Sequence, residues 1–242
     1  PIDEADLPVL LPDDAEFKPT GESPLATSKK FAEIPEKYKK LGAVRREYDT
    51  LDTFVCSSWY FLRYADPNNN QKFADKNKIE HWLPVDVYVG GAEHTTGHLI
   101  FARFMIKALN KLGYLNFDEP LIKLRHQGLI LGENGEKMSK SRGNVVNPDD
   151  VIAGFGADAF RMYEMFMGPF DQAIPWDTAG IEGVRKFLDR SYRLIRDNYK
   201  NAKEIEPEIK EAFYDLVVKV SKDIKTFNFN TAVSAFMVFV NT

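Results

Sequence analysis

Residues 85–114, VDVYVGGAEHTTGHLIFARFMIKALNKLGY, decide the fold. The β-branched run from Val85 to Val89 ends in paired glycines, and apolar residues then recur at Leu99, Phe101, Phe104, Met105, Ala108, Leu109 and Leu112 up to Gly113. The short run reads as a strand and the 3.6-residue recurrence as a helix, which a glycine commonly closes. Strand, glycine turn and helix open a βαβ unit. Residues 121–131, LIKLRHQGLIL, supply the second strand, and a crossover helix between two strands implies parallel pairing in one sheet.

Outward from that unit the texture changes twice. Residues 1–48 are rich in proline and charge and hold no period of 2 or 3.6, so they read as an extended connector with one short strand at residues 8–11, PVLL. Residues 49–64, DTLDTFVCSSWYFLRY, read as a strand end followed by a helix, and residues 68–78 as an exposed loop. Downstream, GENGEK at 132–137 places Asn134-Gly135 where a two-residue turn favours that pair. Residues 147–168, NPDDVIAGFGADAFRMYEMFMG, begin with a proline and aspartate cap and continue as one helix. Amphipathic helices follow at 180–200, 209–227 and 229–240. The chain is therefore α/β first and all-α after, divided into a connector (1–48), an α/β unit (49–145), a helical connecting segment (146–177) and a helical domain (178–242). The apolar run at 232–240 reads as a helix still in progress, so the chain is expected to be a piece of a longer one.

With 44% hydrophobic and 28% charged residues, the 242-residue chain has enough apolar material for a core and a wet surface. A net charge of −4 gives no general affinity for polyanions, so any phosphate contact has to come from a local cluster. One cysteine, Cys56, excludes an internal disulfide framework and a multi-cysteine zinc site. No signal-peptide pattern is present and no apolar run approaches the roughly 20 residues that span a bilayer. No membrane partner is expected, and the expected location is cytoplasmic.

Two stretches carry chemistry. Lys137, Lys140 and Arg142 follow a tight turn together with Ser139 and Ser141. Ammonium groups and hydroxyls on such a loop can donate to a polyphosphate and offset charge growing on a leaving pyrophosphate. A solvated basic turn is the plainer reading of the same residues. Upstream, Gly90 and Gly91 sit between strand and helix, where absent side chains let a ligand approach the backbone and the helix N-terminus favours anions and hydroxyls. Glu93 in that first turn can accept both hydroxyls of a ribose. His94 and His98, four apart, share one helical face. A zinc reading of the pair is weaker, because no third ligand is obvious and the glutamate of H-E-x-x-H is missing. Gln127, at a strand end, can make a polar contact or serve as a structural amide.

The string KMSKS at 137–141 is the signature of class I aminoacyl-tRNA synthetases, and RGNVVNPDDVI at 142–152 resembles the members that activate branched aliphatic amino acids. GGAEHTTGHLIFARF at 90–104 and DTFVCSSWYFLRY at 52–64 resemble the leucyl-tRNA synthetases in their bacterial form. The resemblance covers nearly the whole chain. It implies the second half of a Rossmann-type parallel-sheet catalytic domain, followed by an all-α domain of the anticodon-binding type. It further implies ATP with Mg2+, leucine as substrate and tRNA(Leu) as partner. In catalysis Lys137, Ser139, Lys140 and Ser141 would close over ATP, Lys140 stabilising the departing pyrophosphate. Gly90, Gly91, Glu93, His94, Gln127 and Met138 would hold ATP or the adenylate. Phe54, Ser57, Tyr60, Tyr88 and His98 would shape the leucine pocket, leaving Trp59 and Phe61 to the core.

The sequence departs from that family in three places. The H-I-G-H-like signature that binds ATP phosphates is not in it, nor is an editing domain. Residues 31–48 lack the cysteines of the zinc knuckle of many bacterial relatives, so no zinc is expected. The chain alone is accordingly expected not to activate leucine and to need the N-terminal half of the enzyme. Two rivals remain: an isoleucyl- or valyl-type synthetase, against which Gly-Gly-x-Glu-His argues, and a non-catalytic tRNA-binding module, against which the intact KMSKS argues. Arg185, Lys186, Arg190, Arg193 and Arg196 could meet tRNA phosphates, although interleaved Asp189 and Asp197 favour a solvated helix face.

Overall fold

A computed structural model describes residues 2–19, 21–199 and 204–242. The expected connector is less extended than its composition suggests. It carries three short helices, α1 (Pro24–Thr27), α2 (Lys29–Ala32) and α3 (Glu36–Lys40). Ser28 organises them: its hydroxyl accepts from Phe31 N at 2.9 Å and donates to the Asp14 carboxylate. Phe31 is buried under the Arg46 guanidinium, 4.3 Å from the ring centroid. The expected strand at 8–11 does not form, and Leu10 and Leu11 are exposed. Pro8 and Pro12 bracket it with residues that have no N–H to donate to a ladder.

Residues 49–64 form two short helices in place of a strand and a helix. These are α4 (Thr53–Ser57), capped by the Asp52 side chain accepting from Phe54 N, and α5 (Tyr60–Tyr64). Next comes α6 (Lys76–Trp82), whose Lys78 donates to the buried Asp66; Asp66 also accepts from Asn69 and Asp75 N, and these partners, Lys78 foremost, hold its carboxyl down at about 2.

The βαβ unit is present as β1 (Tyr88–Val89), α7 (His98–Lys111) and β2 (Leu124–Arg125). Pairing is parallel, with Tyr88 opposite Leu124 and Val89 opposite Arg125. Gly113 takes a positive φ of 82° just past α7, which suits a residue without Cβ. Ala102 and Ile106 of α7 pack with Phe61, Leu62, Ile79 and Leu115 in the first core.

The apolar run 121–131 is not one strand. After β2 the chain forms β3 (Ile130–Leu131), which pairs in parallel with β4 (Ile174–Pro175) in a separate two-stranded sheet. The divergence is at Gly128, whose N–H donates to Phe170 O at 2.8 Å and where a Cβ would lie 1.8 Å from the Gln172 carbonyl oxygen. The helix expected over 147–168 is likewise two, α8 (Pro148–Phe155) and α9 (Ala157–Phe166), separated by Gly156 at φ 86°. Asn147 caps α8 by accepting from Asp149 N, with Pro148 in the first turn.

Three long helices complete the chain: α10 (Thr178–Asn198), α11 (Pro207–Thr226) and α12 (Phe229–Phe239). Lys200, the last residue of the first expected helix, lies outside the described residues. Val240, which follows α12, keeps a helical backbone and donates its N–H to Phe236 O at 3.0 Å. Val151, Ala159, Tyr163, Trp176, Ile181 and Val184 form a second core joining α8, α9 and α10 beside β4.

Candidate active site

A cavity of about 380 Å³ opens where β1 runs into its paired glycines. Phe54 and Ser57 of α4 wall one side, while Tyr88, Gly90 and Gly91 line the strand end. His94, His98 and Gln127 complete the polar lining, with Val89, Leu99 and Leu124 as apolar floor. Eight of the residues singled out in the sequence thus share one wall. Tyr60 stands behind that wall, its hydroxyl 2.7 Å from that of Tyr88.

Local geometry explains how these side chains converge. Gly97 precedes α7 at a point where a Cβ would fall 2.6 Å from the Phe54 ring, so a glycine there lets the ring reach the cavity. His94 belongs to a 3-10 turn (Ala92–His94) and His98 begins α7. The two imidazoles therefore do not share the face of one helix, as expected from spacing; they meet edge to face at 6.4 Å. Glu93 does not line the cavity. Its carboxylate is exposed and folds back on Gly91, 2.2 Å from where a Cβ would stand.

Ser57, His98, Tyr88 and Tyr60 form a continuous polar chain. Tyr88 OH is 2.8 Å from His98 Nε2, and His98 Nδ1 is 3.3 Å from Ser57 Oγ. Burial, reinforced by neighbouring His94, lowers the His98 pKa, and burial with the Tyr60 contact raises that of the Tyr88 phenol. Both groups are therefore neutral near pH 7. Ser57 donates to Phe54 O at 3.3 Å. One pattern then satisfies every partner: Tyr60 donates to Tyr88, Tyr88 to Nε2, and Nδ1–H to Ser57. The result is an uncharged, rigidly connected wall, suited to an apolar side chain of defined shape.

The lysine loop stands apart from this wall. Gly135, at φ 74°, closes the turn, Gly132 N bonds Glu136 O, and Lys137 bridges antiparallel to Leu131. Asn134 keeps a negative φ, so the turn is not the two-residue type that Asn-Gly favours. Asn144 clamps the loop by accepting from Ser139 N at 2.9 Å and donating to Lys137 O at 3.3 Å. Ser139 and Ser141 pair through their hydroxyls at 2.8 Å. Met138 is half-buried and packs against the second core. Lys137 and Lys140 are exposed and form no ion pair among the described residues, whereas Arg142 is held by Glu136 at 3.1 Å. Two charges are thus free for an anion, and the third is engaged.

Other expected contacts are also taken up internally. Arg185 pairs with Asp189 and donates to Phe155 O, Arg190 bonds Asn241 and Val240 O, and Arg196 pairs with Asp197. Lys186 pairs with Glu182 at 3.8 Å and Arg193 donates to Asp189 O at 3.2 Å, so all five helix cations serve packing or local pairing. Sequence reading overlooked His126, whose Nδ1 is 3.0 Å from Gly90 O, and the two loop clamps Asn144 and Glu136. The parallel register, which brings the end of β2 beside Gly90, is the signal that finds His126. Among the described residues no group of three or more His, Cys, Asp or Glu side chains is placed to hold a metal, and no helix is long and apolar enough to cross a membrane.

Residues 15–177 match the family described as tRNA synthetases class I (I, L, M and V). Among solved structures, the ternary complex of Agrobacterium radiobacter K84 agnB2 LeuRS with tRNA and LeuAMS is similar over the whole of this chain, with a TM-score of 0.87 and 39% identity. This chain covers 33% of that one. The family match over most of the length, on a fold whose glycine-ended strand and lysine loop are in place, shows that the chain belongs to the class I tRNA synthetases of the isoleucine, leucine, methionine and valine group.

Proposed function

We propose that this chain is the second half of the catalytic site of a leucyl-tRNA synthetase together with its following helical region. The observation that carries the reading is the neutral wall of Ser57, His98, Tyr88 and Tyr60 beside Phe54 and Leu99. An isobutyl side chain is told from its neighbours by wall shape, because one methylene in an apolar pocket is worth only about 1–3 kcal/mol. Likeness to the Agrobacterium LeuRS supports leucine over the other members of the group.

In the proposed reaction a leucine carboxylate oxygen attacks the α-phosphorus of ATP. The bond to the bridging oxygen breaks, and pyrophosphate leaves with the electron pair. Gly90 supports the adenosine: a Cβ there would meet nothing closer than the Tyr88 ring at 3.9 Å, so the space is open to a ligand. Gly91 and His94 lie on the same wall, and Glu93 would have to unfold from Gly91 to reach a ribose. Lys140 and Lys137, free of carboxylates, offset charge on the pyrophosphate, with Ser139, Ser141 and Met138 setting the loop's shape. Mg2+, when bound, would supply further neutralisation of the phosphates. The second product, leucyl-tRNA, forms when a terminal hydroxyl of tRNA(Leu) attacks the adenylate carbonyl and AMP leaves. Residues 178–242 would begin the tRNA-binding region, the N-terminal half would complete the ATP site, and the cytoplasm would be the setting.

The test is exchange of labelled pyrophosphate into ATP by the full-length protein, with leucine, isoleucine and valine compared. Leucine is expected to support exchange at least about 100-fold better than the other two, the scale reached when pocket shape and adenylate contacts discriminate together. Preference for isoleucine or valine overturns the assignment within the group, and no exchange with any amino acid leaves the tRNA-binding module.

A further inference from the structure

We infer that His126 is a positioning residue that fixes the Gly90-Gly91 turn for adenosine binding, an inference that rests on the reading of the cavity above. The parallel ladder between β1 and β2 gives its rungs in order: Tyr88 N donates to Lys123 O at 2.8 Å, and Gly90 N to Arg125 O at 3.1 Å. The next rung of a regular parallel pair would run from Gln127 N to Gly90 O. Among the described residues no such bond forms. Instead the imidazole of His126 reaches Gly90 O with Nδ1 at 3.0 Å.

A carbonyl oxygen can only accept, so the proton of this pair resides on Nδ1, and the tautomer is set by the contact. The side chain replaces a backbone rung and thereby ends the ladder one residue early. Two consequences follow. The Gly90 carbonyl is held from the β2 side, leaving the open face of the turn toward the cavity. Gln127 is released from the sheet, is exposed, and lies on the walls of both the first cavity and a second one of about 320 Å³ beside β3.

The experiment compares His126→Asn, His126→Gln and His126→Ala in the full-length enzyme. Asparagine places an amide N–H near the position of Nδ1, glutamine carries it about one bond too far, and alanine removes it. Leucine-dependent pyrophosphate exchange gives KM for ATP, KM for leucine and kcat, and thermal melting reports folding. The alanine and glutamine variants are expected to raise KM for ATP by about tenfold, the equivalent of one lost neutral hydrogen bond, with KM for leucine within about twofold. Asparagine is expected to stay near wild type in both. Equal ATP affinity in all three variants overturns the inference, as does a rise shared equally by ATP and leucine or by asparagine. An inactive wild-type enzyme would instead overturn the reading of the cavity, so the two failures are separable. If the alanine variant does not fold, the contrast between asparagine and glutamine decides.

Discussion

His98 has its ring nitrogens 2.8 Å from the Tyr88 hydroxyl and 3.3 Å from that of Ser57, and this double engagement has a pH signature. Burial lowers its pKa below the ordinary 6.5, with His94 adding to the effect. A lowered histidine pKa means that, between the folded value and 6.5, the unfolded chain binds a proton that the folded chain refuses. Acid therefore favours unfolding in that window, and the stability contributed by neutral His98 is fully present above 6.5 and is lost as pH falls through the window. Urea midpoints measured from about pH 7.5 to 5.5 should fall toward acid in the wild type. Part of that slope should vanish in His98→Gln, which cannot titrate. An unchanged slope in the variant would show that His98 does not carry the decline. The role of this residue in the cavity was open to sequence only through resemblance. Spacing alone placed His94 and His98 on one helical face, and the 3-10 turn that separates them depends on how Gly91 and Gly97 pack.

At the scale of elements, Gly128 is where one apolar run becomes two strands. A Cβ there would press within 1.8 Å of the Gln172 carbonyl oxygen, and backbone cannot rotate aside as a side chain can. Gly128→Ala should cost about 3 kcal/mol or more, at the top of the range for overpacking, because relief requires parting β3 from β4. Chemical denaturation of this chain checks it: a midpoint within error of wild type would mean that the two segments do not approach this closely in solution. The same position shows where sequence reading ran out. The βαβ order, its parallel sense and the proline that opens α8 were legible because period and the placement of glycine and proline are local signals, whereas the cap expected from proline and aspartate is made by Asn147. The division of residues 121–131 between two sheets was not, since it depends on Gln172, more than forty residues on. Nor was the break at Gly156, because a glycine inside a helical pattern reads the same whether φ stays negative or turns to 86°.

Across the whole molecule the loop and the helices are mechanically joined. Met138 of the loop packs against the same core as Val151, Trp176 and Ile181, and Met237 of α12 packs there too. Arg190 ties α10 to the end of α12 through Asn241 and Val240 O. Yet the charges that would act on phosphate, Lys137 and Lys140, are free of carboxylates, and none of residues 137–141 lines the cavity. On the proposed function a polyphosphate would lie between lysines and cavity, and the H-I-G-H-like signature of the family is not in this sequence. The chain spans 33% of the similar LeuRS chain, and the proposed function places the rest of the site outside it. The chain alone should give no leucine-dependent pyrophosphate exchange, and mixing it with a separately expressed N-terminal half should restore it. Lys140→Ala in the mixture should lower kcat by about 100-fold with little change in the association of the pieces, because the lysine acts on charge that develops only in the transition state. Unaided exchange by the chain would show that ATP can be held from one side. A folded, associated mixture that stays inactive would make the carboxylate-free lysines a tRNA contact, and the same substitution should then weaken tRNA binding and reduce its salt dependence.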